Sequence, residues 1–190
     1  MTEILVLFYS RGGKTLALAE EIRLGISQVP GCSAKLRTVK PLEGDADPQI
    51  PIVHKEDLRD CDGLALGSPT RFGNMAAPLK AFLDSTTDLW MSAALVDKPA
   101  TVFTATGSLH GGQESTLLSM MLPLMHHGMV IVGVPYSTPK LMDTNAGGTP
   151  YGASHWSGHD NQRALSEEEL SIARAAGARL ARIAERLAKA

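Results

Sequence analysis

Cysteine is scarce in this chain: only Cys32 and Cys61 occur among its 190 residues, far apart and with no CxxC pair. That excludes a disulfide framework and a thiolate metal cluster, and both residues are expected as reduced thiols. Charge of one sign is lacking too. The formal net charge is −2, so no basic field points to nucleic acid or to an anionic membrane. Nor is there the acidic excess of a carrier steered towards a basic partner. Long hydrophobic runs are absent. The longest, Met129 to Val134, has Gly133 inside it and falls far short of the ~20 residues that span a bilayer. Met1-Thr2-Glu3 offers no basic n-region of a signal peptide, so a cytoplasmic location is expected. GxGxxG does not occur. Gly13-Lys14-Thr15 is not a Walker A end, because the position that needs the first glycine is Phe8. No Ser-His-Asp set or carboxylate pair is identifiable. His155 and His159 have i, i+4 spacing, but in a Gly- and Ser-rich stretch unsuited to a helix, so no metal site is expected.

What is present is an ordinary globular balance, 44 % hydrophobic and 20 % charged, which fits one domain over residues 1–190. Short apolar runs alternate with helical stretches, the pattern of a parallel sheet with crossover helices on both faces. Ile4 to Tyr9 is continuously apolar, as a central strand requires. Leu18, Ile22, Gly25 and Val29 form one helical stripe. Ser33 to Val39 alternates and carries Lys35 and Arg37, which suits an edge strand. Asp62–Gly67 and Pro99–Thr106 are the third and fourth strands and Met129–Val134 the fifth. Ala76–Thr87 is a helix after the third strand. Another over Glu114–His127 follows the fourth, with Pro123 expected to kink or break it. The inferred fold is α/β, five-stranded, in the order 2-1-3-4-5. Residues 135–165 lack periodicity, and a structureless stretch of that length is usually functional. Ser166 and Glu169 make a capping box, with Leu165 stapling onto Leu170. Ala173, Ala176, Leu180, Ile183 and Leu187 then form the core-facing stripe of the last helix.

Ligands of an open parallel sheet bind outside the carboxyl ends of its strands, near the switch in strand order. Three loops are selected by that rule. The first, Ser10-Arg11-Gly12-Gly13-Lys14-Thr15, has hydroxyls, glycines and helix-start amides that suit a phosphate; a tight turn with Ser10 as a cap is the alternative. The second, Thr70-Arg71-Phe72-Gly73-Asn74, offers an aromatic face and polar groups for ring edges, or a helix-initiating loop capped by Asn74. The third, Thr106-Gly107-Ser108-Leu109-His110-Gly111, would let amides reach a flat heterocycle, unless it is a bare flexible turn. His126 and His127 end the fourth helix, placed either for a ligand or for simple helix-end capping.

With those loops in place the chain resembles, over essentially its whole length, the WrbA family of flavodoxin-like FMN-dependent NAD(P)H:quinone oxidoreductases. The resemblance is carried by Ser68 to Met75, His126-His127-Gly128-Met129 and Gly147 to Ala153. Gly112-Gln113-Glu114 and Ser166 to Leu170 add to it. It implies that Ser10 to Thr15 bind the FMN phosphate, and that Thr70, Arg71, Phe72, Gly73 and Asn74 hold the isoalloxazine ring. It implies that Thr106 to Gly111 cover the ring's other edge, and that His126 sits near the flavin as the candidate proton donor or hydrogen-bonding partner of a quinone. The implied assembly is a homotetramer in which Trp90 borders a neighbour's substrate space, with Tyr136 and Gly147 to Ala153 at the same junction. The implied reaction is two-electron, ping-pong reduction of a quinone to its hydroquinone by NAD(P)H. Two positions depart from the family pattern. Gly12 stands where some members carry an aromatic residue, and Leu109-His110 stand where some have only glycine. The uncharged fifth strand needs cover, either from the long segment after Pro135 or from another subunit. A flavodoxin-type electron carrier and a non-catalytic flavin-binding regulator are the rival classes.

Overall fold

Leu5 and Leu7 face one apolar layer and Ile4, Val6 and Phe8 the other, because successive residues of a strand point to opposite faces. This run is β1 (Thr2–Phe8) in the computed structural model, which describes residues 1–44 and 46–189. β2 (Cys32–Thr38), β3 (Gly63–Pro69) and β4 (Pro99–Thr106) lie parallel to it. Leu5 stands opposite Lys35 on one side and Leu64 on the other. The spatial order is β2-β1-β3-β4-β5, as expected.

The outer lane beside β4 differs from expectation. It is assembled from two short strands, so the sheet has six strands and not five. β5 is only Val130–Ile131, paired with Pro99 and Ala100. Val132 still donates to the Ala100 carbonyl at 2.7 Å, but the chain then leaves the ladder. Pro135, lacking an amide hydrogen, cannot extend it. The chain returns as β6 (Ala153–Trp156), paired with Phe103 to Thr106. The long segment expected to be structureless therefore supplies a strand and continues the edge for which it was one of two possible covers.

One layer is filled by α1 (Lys14–Ser27) and α6 (Glu167–Leu187). The other holds α2 (Lys55–Asp60), α3 (Ala77–Asp84), α4 (Thr87–Met91) and α5 (Gln113–His126). α1 and α6 cross closely enough that a Cβ on Gly25 would fall on the Arg174 carbonyl oxygen, and one on Gly177 on that of Ile22. Only glycine permits that contact. The expected helix over Ala76–Thr87 ends early, where Ser85 and Thr86 hydroxyls bond the carbonyls of Phe82 and Leu83. Such local bonds compete with the helical ladder. α5 runs through Pro123 without breaking. The proline sits in the final turn and removes a single ladder bond, while Leu117, Met120, Met121 and Leu124 bury its apolar face. The Ser166–Glu169 capping box is present. Leu187 is exposed, however, and the buried stripe continues instead on Ala181 and Ala184, because the final turn extends past the layer it covers.

Candidate flavin site at the sheet's switch point

β1 and β3 are neighbours on either side of the reversal in strand order, and β4 follows β3. Their three carboxyl-end loops therefore converge, as the fold rule requires. In the first loop Gly13 adopts a left-handed φ of 79° as N-cap of α1, with no side-chain cap. Ser10 Oγ accepts from the Leu16 amide at 3.3 Å, so the serine does cap locally. The remaining first-turn amides take no side-chain cap and are free for an anion. Thr15 is buried at their base. Two residues of this loop are held from outside. Asn161 Nδ2 donates to the Gly12 carbonyl at 3.1 Å, and Lys14 Nζ to the Arg163 carbonyl at 2.7 Å.

The second loop is a tight hairpin. Arg71 and Asn74 exchange backbone bonds of 2.7 and 3.0 Å, with Phe72 and Gly73 at the tip, φ 53° and 75°. A left-handed bulky residue is strained, and such strain gathers at ligand sites. Phe72 is also fully exposed, so its aromatic face is open to solvent. Asn74 does not cap α3. Its Oδ1 accepts from the Met75 amide and from Ser119 Oγ instead, and Ala76 holds the cap position.

The third loop is an ordered turn and not a bare one. Thr106 Oγ1 and the Gly111 amide both donate to the Ser108 carbonyl, and Gln113 Nε2 donates to that of Leu109. It ends on Gly112, the left-handed N-cap of α5, again without a side-chain cap. Loops two and three touch: Thr70 and Thr116 hydroxyls are 2.7 Å apart, and a Cβ on Gly112 would lie 2.9 Å from Gly73 Cα. A cavity of about 950 Å³ opens beside loops one and two, lined by Tyr9, Ser10, Arg11, Leu42, Arg71 and Phe72 among others, with no third-loop residue in its wall. Two helix starts without side-chain caps, a buried threonine and an exposed aromatic tip suit a flavin carrying one terminal phosphate.

His126 and Trp90 are not brought to these loops within one chain. α5 runs antiparallel to β4, and the Gly128 carbonyl accepts from the Asp97 amide just before β4 begins. The eight residues of β4 place that edge roughly 25 Å from the loops. Trp90 belongs to α4 at the same far end, where Thr86 Oγ1 meets His127 Nε2 at 2.9 Å. His126 is exposed there beside an apolar patch of Trp90, Met91, Val96, Leu122 and Met125. Burial lowers the pKa of His127, with the neighbouring His126 adding to the effect.

One polar centre escaped the sequence reading. Glu169 is 1 % exposed. Its Oε1 accepts from the Gly147 and Trp156 amides at 2.8 and 2.9 Å. Its Oε2 accepts from the Ser166 amide at 2.9 Å and from fully buried His155 Nδ1 at 2.8 Å. Burial alone would raise this carboxyl; the bonds from His155, Ser166 and Trp156 outweigh it and hold the pKa below the usual range. The capping-box spelling marked Glu169 but could not reveal that β6 would close over it. His155 is buried and His159 exposed, and no cluster of three metal-ligating side chains occurs among the described residues. Burial pushes Cys61 up to about 11 and also raises half-buried Cys32, so neither is a ready thiolate. Among the described residues no helix is long and apolar enough to cross a membrane.

Residues 11–140 match the family model for NADPH-dependent FMN reductase. The chain is 44 % identical to an NAD(P)H dehydrogenase (quinone) of Trichlorobacter lovleyi, over 98 % of its own length and 99 % of the relative's. It is 41 % identical to a protein of the same name from Solidesulfovibrio magneticus, over 97 % and 98 %. Among solved structures, a WrbA-like flavodoxin from Agrobacterium tumefaciens superposes with a TM-score of 0.70 at 23 % identity, covering 98 % of this chain and 99 % of that one. An archaeal flavodoxin gives 0.68 at 19 %, covering 97 % and 99 %. Both likenesses speak for the flavodoxin-like fold.

Proposed function

From a chain that belongs to the NADPH-dependent FMN reductase family, we infer an FMN-dependent NAD(P)H:quinone oxidoreductase that reduces quinones to hydroquinones by two electrons. The observation that carries this reading is the near full-length match to quinone dehydrogenases, on a fold whose three switch-point loops converge. When bound, FMN supplies the hydride-accepting and hydride-donating chemistry, and the protein supplies placement and electrostatics. Ser10 to Thr15 hold its phosphate on the free amides of α1, with the buried Thr15 hydroxyl beneath. Thr70 to Asn74 and Thr106 to Gly111 hold the ring from two sides. Arg71 sets a positive charge beside the ring, and Phe72 presents a stacking face to planar substrates. NAD(P)H and the quinone occupy that space in turn.

His126 and Trp90 serve this site only from a second copy of the chain, since their own loops lie at the opposite end of the sheet. The exposed apolar patch around them supports a homotetramer in which one protomer's far end closes another's flavin site. There His126 meets the quinone oxygen, and Trp90, Tyr136 and the 147–153 turn wall the pocket. Free thiols at Cys32 and Cys61 suit a cytoplasmic enzyme. The test is NADH and NADPH consumption, run in parallel with a small quinone, together with chromatography of the released flavin. FMN and quinone-dependent turnover are expected. FAD at full occupancy, or no quinone-dependent consumption of either nucleotide, refutes the reading and leaves the carrier or regulator class.

A further inference from the structure

After β6 the chain crosses back over the first loop as a strap, residues 157–163. Asn161 holds the Gly12 carbonyl and the Arg163 carbonyl holds Lys14. These contacts bear on the loop's donors, because a trans peptide sends its C=O and N–H to opposite sides. With the Gly12 carbonyl turned out to Asn161, the Gly13 amide is turned away from the strap. Gly12 is what admits this contact, since a Cβ there would stand 2.7 Å from Asn161 Nδ2.

The strap is fastened from beneath. His155 Nε2 reaches the same Arg163 carbonyl at 3.2 Å, while its Nδ1 meets Glu169 Oε2. The ring therefore spans two segments of chain, bonded to Glu169 of α6 through one nitrogen and to the strap through the other. The Arg163 guanidinium adds a second fastening, 3.9 Å over the Trp156 ring, and its amide donates to the Ser157 carbonyl. The facing residue on β4 is Ala105, which is uncharged. A continuous bonded path therefore joins Glu169 of α6, through His155 and the Arg163 carbonyl, to Lys14 of the first loop.

We propose that His155 is a positioning residue for the flavin-phosphate loop: through the Arg163 carbonyl it holds the 157–163 strap, and the strap orients the loop's amides towards the phosphate. The proposal rests on the reading that Ser10 to Thr15 bind the phosphate of FMN. His155 touches neither the loop nor the ligand space; it acts through the strap.

The experiment titrates the full chain, stripped of flavin, with FMN and with riboflavin, which lacks the phosphate. The variants are His155→Thr and the exposed-site Asn161→Ala. Asn161→Ala removes one bond of ordinary strength, and His155→Thr removes two, of which only the one to the Arg163 carbonyl bears on the strap, so FMN affinity is expected to fall about fivefold to tenfold in each. Riboflavin affinity should stay about unchanged, because riboflavin carries no phosphate for the loop's amides to hold. A role in stability alone would weaken both flavins together, and that result overturns the proposal, as does unchanged FMN affinity in Asn161→Ala. If His155→Thr does not fold, His155→Gln, which keeps a donor for Glu169, is read by the same criterion. A wild-type chain that binds FMN no more tightly than riboflavin refutes the phosphate assignment itself, and so separates that failure from this one.

Discussion

Replacing Glu169 by glutamine keeps the shape of the side chain and removes its charge and one acceptor. Four donors converge on this carboxylate: the amides of Gly147, Trp156 and Ser166, and His155 Nδ1. Glutamine retains one acceptor oxygen and turns an NH₂ group on the remaining donors. Each buried donor left unpaired costs about 1–3 kcal/mol, and whichever oxygen the NH₂ group replaces, two donors are left facing it. The expected destabilisation is therefore about 2–6 kcal/mol. Equilibrium urea unfolding followed by circular dichroism measures it. Glu167→Gln is the control: an exposed carboxylate in the same first turn is worth under about 1 kcal/mol. The pH dependence has a definite sign. The folded-state pKa of Glu169 is depressed, so its contribution is complete above the ordinary value of 4.5 and is lost as pH falls through the folded value. The gap between wild type and Glu169→Gln should therefore narrow on acidification below 4.5. A Glu169→Gln protein within about 1 kcal/mol of wild type at neutral pH would refute this account of the hub, since the smallest single loss above is of that size.

Thr15→Val should weaken FMN binding at least about tenfold, because a hydrogen bond to a charged group is worth ~1.5–3 kcal/mol; an unchanged dissociation constant by fluorescence titration would move the phosphate elsewhere. Trp90→Ala should leave flavin content and assembly mass intact but impair quinone turnover. Diluting the wild type until it dissociates should lower activity too, and a monomer from size exclusion that keeps its flavin and full turnover would refute the shared site. Gly25→Ala should lower the urea midpoint by the equivalent of about 1–3 kcal/mol, as the new methyl meets the Arg174 carbonyl; an unchanged midpoint would mean that the α1–α6 crossing yields freely.

The central strands were legible because their apolar runs are long enough to exclude other readings. Pro99–Thr106 has the bounds expected of it, and Ile4 to Phe8 divides between the two layers. α2 escaped because Lys55 to Asp60 offers one buried apolar residue, Leu58, too few to show a period. β6 escaped because Ala-Ser-His-Trp has neither alternation nor branched residues, and what makes it a strand is the free edge of β4. The three loops were legible by composition and by the rule for where ligands bind. Trp90 was expected at a subunit boundary, but the placing of His126 at the end of the sheet far from the loops was not legible, because a histidine pair at a helix end says nothing of which end of the sheet that helix reaches. Nor was the hub, since burial of Glu169 depends on residues 147–156 folding over it.

The outer lane of the sheet is entered twice, by β5 near the start of β4 and by β6 near its end, and everything from Val132 to Gly152 leaves from and returns to that one lane. The outermost part of that detour, residues 142–146, carries the exposed Met142, Asp143 and Asn145, so its surface can change while the strands on either side keep their partners. For protein engineering the same layout marks a docking port. A peptide or small domain grafted within residues 142–146 would enter and leave on the same edge, and flavin retention would report at once whether the graft had disturbed the re-entry at Ala153.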